Sequence, residues 1–126
     1  MSLLVESTLS GTTFLRPLTR AREAGYHTQI LFVTLESPEA CIQRVRERVR
    51  RGGHHVPDED VRRRYARSHR NFWELYRLQV DSWHLYLNAD DRFITVAFGA
   101  SDRFEIEDAS TFEQFLRRAQ ESRDAS

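Results

Sequence analysis

Apolar and polar positions alternate in blocks along the chain, and each block has a readable period. Leu3, Leu4 and Val5 form a short apolar run ending at Glu6, which predicts a buried strand followed by a polar loop over residues 7–11. Thr12 or Thr13 then caps a helix running to about Ala24, with Pro17 tolerated near its first turn and Gly25 as its stop. Residues 28–35 carry Ile30, Leu31, Phe32 and Val33 almost unbroken, the pattern of a strand covered on both faces. Ser37, Pro38 and Glu39 supply a cap, a proline at the first helical position and an acid in the first turn. The helix they start is predicted to reach Arg50 or Arg51, with Ile42, Val45 and Val49 on one face and Gly52-Gly53 beyond its end.

After a loop over residues 54–57, Asp58 opens a long helix to about Val80, with Val61, Tyr65, Phe72, Leu75 and Tyr76 as its apolar stripe. Residues 83–87 and 93–98 read as strands around a turn at Ala89-Asp90-Asp91. Ser110 to Glu113 has the form of a capping box before a last amphipathic helix containing Phe112, Phe115 and Leu116. Strands alternating with helices predict an α/β layered fold, in which parallel central strands are flanked by helices. The central strands come first, so the chain reads as though it begins in the middle of a domain. Residues 1–121 are expected to belong to that domain and residues 122–126 to form a frayed tail.

Composition narrows the function classes. The 126 residues carry 19 basic and 19 acidic side chains, so no net field draws the chain to nucleic acid or to a membrane surface. Acids on the same helix, Asp58, Glu59, Asp60 and Glu74, further oppose nucleic-acid binding through Arg62 to Arg70. The apolar runs are too short to span a bilayer, and no secretory signal is visible, so a reducing cytoplasm is the expected location. Cys41 is the single cysteine, which excludes an internal disulfide and reads as an inert, partly buried thiol. All 19 basic residues are arginine. Chemistry that needs a lysine must take it from another polypeptide.

Three groups of residues are candidates for chemistry. Glu6 and Thr8, with Ser10 beyond them, stand where a buried strand meets a loop, and ligands of open α/β sheets bind outside the carboxyl ends of strands. The alternative is that these hydroxyls cap the next helix. Arg44 and Arg48 on one helix, and Arg63, Arg67 and Arg70 on the next, flank a glycine-rich connection. They suit a lid over phosphates, because a guanidinium binds phosphate oxygens through two parallel hydrogen bonds. The alternative is a solvated face paired with Glu47, Glu59 and Glu74. His54, His55 and His69 lack the spacing of a helical metal pair, and His54 reads as a residue that fixes the loop or touches phosphate. Asn88 follows a strand and can reach a site at its end.

Three stretches taken together, VESTLSG, RVRERVRRGGHHVPDEDVRRRYARSHRNF and DSWHLYLNADD, resemble the zeta-toxin-like kinases in order and spacing. The middle one carries Arg44-Val45, Arg48-Val49 and Gly52-Gly53-His54, and the resemblance spans about Leu4 to Gly99. It implies a partial P-loop kinase-like fold with a two-helix lid over about residues 44–71. The family's founding toxins phosphorylate a sugar hydroxyl of UDP-N-acetylglucosamine with ATP and Mg2+. By resemblance Glu6 and Thr8 match a Glu-x-Thr that contacts the sugar nucleotide. Ser10 stands where the toxins can carry an arginine, a departure that bears on substrate identity. Arg48 falls near a phosphate-contacting arginine, and Arg63 and Arg64, with His54 beside them, are the candidates for the lid.

The family's phosphate-binding loop, its lysine and the aspartate that accepts the substrate proton precede the Glu-x-Thr strand, and none is in this sequence. The chain is therefore expected to be inactive by itself while keeping nucleotide and sugar-nucleotide contacts. The alternative is a non-catalytic interaction module or one half of a split kinase. In that case the apolar surface near Leu3–Val5 and Ile30–Val33 is covered by a second copy or a partner.

Overall fold

In a computed structural model of the chain the described residues are 2–5, 13–35, 37–53, 57–90, 92–100 and 102–124. The elements run β1 (Ser2–Val5), α1 (Leu15–Glu23), β2 (His27–Leu35), α2 (Pro38–Arg50) and α3 (Asp58–Asn71). A π-helical turn (Phe72–Tyr76) and α4 (Arg77–Gln79) continue α3, and β3 (Ser82–Ala89), β4 (Arg92–Ala100), β5 (Arg103–Ile106) and α5 (Ala109–Asp124) follow.

Local chemistry explains most boundaries. Ser37 Oγ accepts the Ala40 amide at 3.1 Å and starts α2. Gly52, at φ +96°, ends it. The Gly53 amide donates to Arg48 O at 2.9 Å and the Gly52 amide to Val49 O at 3.0 Å, a Schellman closure that needs the left-handed glycine. Gly25, at φ +92°, ends α1 in the same way. The last helix begins earlier than the Ser110 capping box predicts. Asp108 caps it, accepting the Thr111 amide at 3.2 Å and the Thr111 hydroxyl at 2.8 Å.

The sheet is mixed, in the order β1-β2-β3-β4-β5. β1, β2 and β3 are parallel, whereas β4 and β5 are antiparallel additions. The expected α/β class is met, with the parallel strands gathered toward one edge of the sheet. The expectation that β2 is covered on both faces is not. Thr28, Ile30, Phe32 and Thr34 are buried, but Leu31 and Val33 remain 36% and 42% exposed. The two crossovers step the same way across the sheet, so their helices share one face. There Leu18, Phe72, Tyr76 and Phe115 pack with Ile30, Phe32, Trp83 and Leu85 in one core. Phe32 and Phe72 stack at 4.7 Å at its centre.

Two polar arrangements pin this layer. At the amino end of the parallel strands, Asp81 accepts the Thr28 amide at 2.8 Å and the Thr28 hydroxyl at 3.1 Å, and pairs with Arg22 at 3.1 Å. These partners, the Thr28 amide first among them, hold its carboxyl below the usual carboxylate range. Nearer the carboxyl end, His69 is buried between α3 and β2. Its Nδ1 lies 2.6 Å from Tyr65 O and its Nε2 2.7 Å from Thr34 Oγ1. A carbonyl only accepts, so Nδ1 carries the proton and Nε2 accepts from the threonine hydroxyl.

Burial lowers the His69 pKa from 6.5 to about 4. The unfolded chain takes up this proton first, so the stability His69 confers is present above pH 6.5 and is lost as pH falls toward 4. The loss amounts to roughly 3 kcal/mol. Urea midpoints at neutral pH and near pH 4 are expected to differ in that direction, and His69→Gln, which does not titrate, is expected to flatten the difference.

Candidate ligand site at the carboxyl edge of the sheet

Three parallel strands end on one edge, at Val5, Leu35 and Ala89. Edges of this kind collect ligands because the loops that leave them are free to vary while the strand ends stay fixed. Glu6, Thr8 and Ser10 follow β1 in sequence, but they lie outside the described residues, as does His54.

What α2 and α3 do at this edge follows from the contacts along β2. Phe72 stacks on Phe32, His69 meets Thr34, and the Tyr65 hydroxyl donates to Leu35 O at 2.8 Å. Helix and strand therefore run antiparallel, with Tyr65 level with the last residue of β2. The two turns of α3 before Tyr65 extend past the sheet. α2 lies antiparallel beside them, joined by Arg62 to Glu39 at 3.8 Å and by Arg46 to Asp58 at 2.7 Å. The two form a hairpin that projects beyond the carboxyl edge. It carries Arg44, Arg46, Arg48, Arg50, Arg51, Arg62, Arg63 and Arg64.

These arginines do not form one cluster. Val45, Arg46 and Val49 of α2 border the groove shared with α3. At 100° per residue, Arg44 and Arg48 fall on the opposite side of α2. Arg63 is exposed on the outer side of α3 and is paired with Asp60 one turn earlier. Arg64 lies across α3 from Arg62, the residue that faces α2. The expected convergence of Arg48 with Arg63 and Arg64 is thus not met. The reason is the helical period, which sends neighbouring positions in different directions. Of the acids expected as partners, Glu74 takes Arg70 at 3.3 Å, while Asp58, Asp60 and Glu39 take the hairpin arginines. Arg48 and Arg64 have no ion pair among the described residues.

The groove between α2 and α3 encloses about 730 Å³ and is open. Its apolar floor of Val45, Val49 and Pro57 is rimmed by Arg46 and Arg50 as well as Asp58, Glu59 and Asp60, so the groove carries charge of both signs. The strand edge is lined differently. There α5 contributes Arg118, whose Nη1 is 3.5 Å from Leu35 O and whose guanidinium carbon is 5.8 Å from the centre of the Tyr65 ring. Nothing in the sequence singles out Arg118 among 19 arginines, because its position depends on how α5 packs on α3. Asn88 pairs in register with Leu35 at the same edge, and its Oδ1 is shielded from solvent without a hydrogen-bond partner. Among the described residues no group of three or more His, Cys, Asp or Glu side chains is placed to hold a metal, and no helix is long and apolar enough to cross a membrane.

No known family model matches the chain, and no solved structure matches it. It is similar to a Haemophilus influenzae protein described only as uncharacterized. The two are 31% identical over 61 residues, which is 48% of this chain and 44% of that protein. The match spans less than half of either chain. It assigns no activity.

The Tyr65 hydroxyl is the bond that holds the base of the hairpin to β2. Tyr65→Phe is expected to lower global stability by about 1 kcal/mol in urea denaturation. It is also expected to raise hydrogen exchange in α2 before exchange rises in β3, as the loosening of a projecting unit requires. Unchanged exchange in α2 would show that the hairpin is held elsewhere.

Proposed function

We propose that the chain is the acceptor-side and lid-bearing part of a nucleotide-sugar phosphotransferase of the zeta-toxin-like class. One observation carries this reading: an arginine-rich helical hairpin projects past the common carboxyl edge of three parallel strands, the first of which leads into Glu6. Glu6 and Thr8, with Ser10, take the sugar nucleotide. Arg48 and Arg64 are the hairpin residues best fitted to phosphate, since no carboxylate competes for them among the described residues. Arg63 is less suited, because a phosphate must displace Asp60.

ATP and Mg2+ serve the complete enzymes of that class. The arginines here fit the phosphates of a nucleotide. The fit fails for the rest of the machinery, because the chain has no lysine and its described residues offer no metal-holding group. No phosphoryl-transfer step is therefore assigned to these residues. Their part is to bind, to cover and to neutralise charge, the task that positioning groups carry in phosphoryl transfer.

Calorimetric titration of the purified chain tests this reading. It is expected to bind UDP-N-acetylglucosamine, and Glu6→Gln is expected to weaken that binding about tenfold, the effect of losing one charged hydrogen bond. Arg48→Ala is expected to weaken ATP binding by a similar factor, and Arg63→Ala to change it little. Equal binding by Glu6→Gln and the native chain would remove the acceptor assignment. Sustained ATP-dependent phosphorylation by the chain alone would remove the view that its catalytic groups lie elsewhere.

A further inference from the structure

In the groove between α2 and α3, charge is sorted by helix. The floor consists of Val45, Val49 and Pro57. Both valines are only half-buried and Pro57 is exposed, so this apolar strip faces solvent rather than the core. One wall is basic, because α2 contributes Arg46 and Arg50. The other is acidic, because the first turn of α3 contributes Asp58, Glu59 and Asp60. Arg46 and Asp58 pair across the groove at 2.7 Å, and Asp60 takes Arg63 from the outer side of α3. That leaves one exposed charge on each wall, Arg50 and Glu59, and neither has an ion pair among the described residues.

This sorting restricts what can occupy the groove. A uniformly acidic partner is repelled by the α3 wall and a uniformly basic one by the α2 wall. The complementary occupant has an apolar strip between a basic and an acidic row, and the chain itself supplies one. A half-turn about an axis along the groove lays the groove over its own copy and exchanges the walls, so that α2 of each copy faces α3 of the other. Basic wall then meets acidic wall twice, and the two apolar floors meet at the axis. Since α2 and α3 run antiparallel, every helix of the four has antiparallel neighbours, the arrangement of an up-and-down bundle. Zero net charge removes long-range repulsion between the copies.

We propose that the α2–α3 groove is a self-association surface, where two hairpins pack about an axis along the groove, with Val45, Val49 and Pro57 of each at the centre and Arg50 of each paired with Glu59 of the other. The surface stands independently of the phosphotransferase reading, because Arg44 and Arg48 lie on the opposite side of α2 and remain outside the contact.

Light scattering on the full chain across a concentration series tests the proposal. A dimer is expected. Arg50→Glu and Glu59→Arg are each expected to raise its dissociation constant about tenfold or more, because each sets like charges against one another. The double variant Arg50→Glu/Glu59→Arg exchanges the two signs and is expected to restore the dimer. Arg44→Glu makes the same change of charge away from the groove and is expected to leave the dimer unchanged. Both altered groove residues are exposed, and circular dichroism checks that each variant folds. Should one single variant fail to fold, the other and the double variant decide the matter. A monomer at every concentration, a dimer that the folded single variants leave intact, or single-variant losses that the double variant does not repair would each overturn the proposal.

Discussion

The depth at which α3 lies along β2 is set by one buried imidazole. His69 donates to the Tyr65 carbonyl and accepts from the Thr34 hydroxyl, so helix and strand can lock in one register only. A slide of one helical turn would leave the ring, the hydroxyl or both unpaired in an apolar core. Above the imidazole, the same register brings the Tyr65 hydroxyl to Leu35 O. Below it, Phe72 lies on Phe32. Because α3 is held at this level, its first two turns extend past the sheet, and α2 packs mainly on those turns and only lightly on β2. The projecting hairpin is thus a consequence of where His69 is anchored.

The electrostatics of the hairpin follow from its exposure. In solvent, ion pairs such as Arg46–Asp58 and Arg63–Asp60 contribute little stability and exchange readily for other anions. What they do is bias which guanidinium groups are available. The acids of the first turn of α3 engage Arg46 and Arg63, and leave Arg48 and Arg64 without an ion pair among the described residues. Arg118 of α5 reaches the same edge, with Nη1 3.5 Å from Leu35 O.

The open sheet face and the closed one obey the same rule in different surroundings. β2 places threonine, isoleucine and phenylalanine under the helices, and leucine and valine on the other side. Both faces of this strand are apolar, yet among the described residues only one is covered by a helix. The bulge between Leu85 and Tyr86 of β3 brings Val96 and Ala97 of β4 into full burial, while Phe93 stays 65% exposed. The molecule accordingly presents a helical side crowded with arginine and glutamate and a sheet side whose charged residues, Arg103 and Glu105, lie on the edge strand β5.

Several features were legible in the residues alone. The helix stops at Gly25 and Gly52, the Ser37 cap and the stripe of Val61, Tyr65, Phe72 and Tyr76 are local properties, set by backbone sterics and by spacing within a few turns, whereas Leu75, expected in that stripe, is exposed. The strand at Arg103–Ile106 was not legible, since two charged residues in four leave no apolar run, and it forms because β4 offers an edge. The π-helical turn at Phe72–Tyr76 and the start of α5 at Asp108 were not legible either, because packing against the core shifts a boundary that propensity leaves loose. Nor could the run Ile30–Val33 reveal that one face stays uncovered, for an apolar side chain reads the same on either side. The chain's own letters thus determined which segments are helix or strand and where most of them stop. Only packing between distant elements decided which arginines share a surface, which polar atoms are left unpaired and which face remains open. Those depend on distances between residues far apart in the chain, and no local period encodes them.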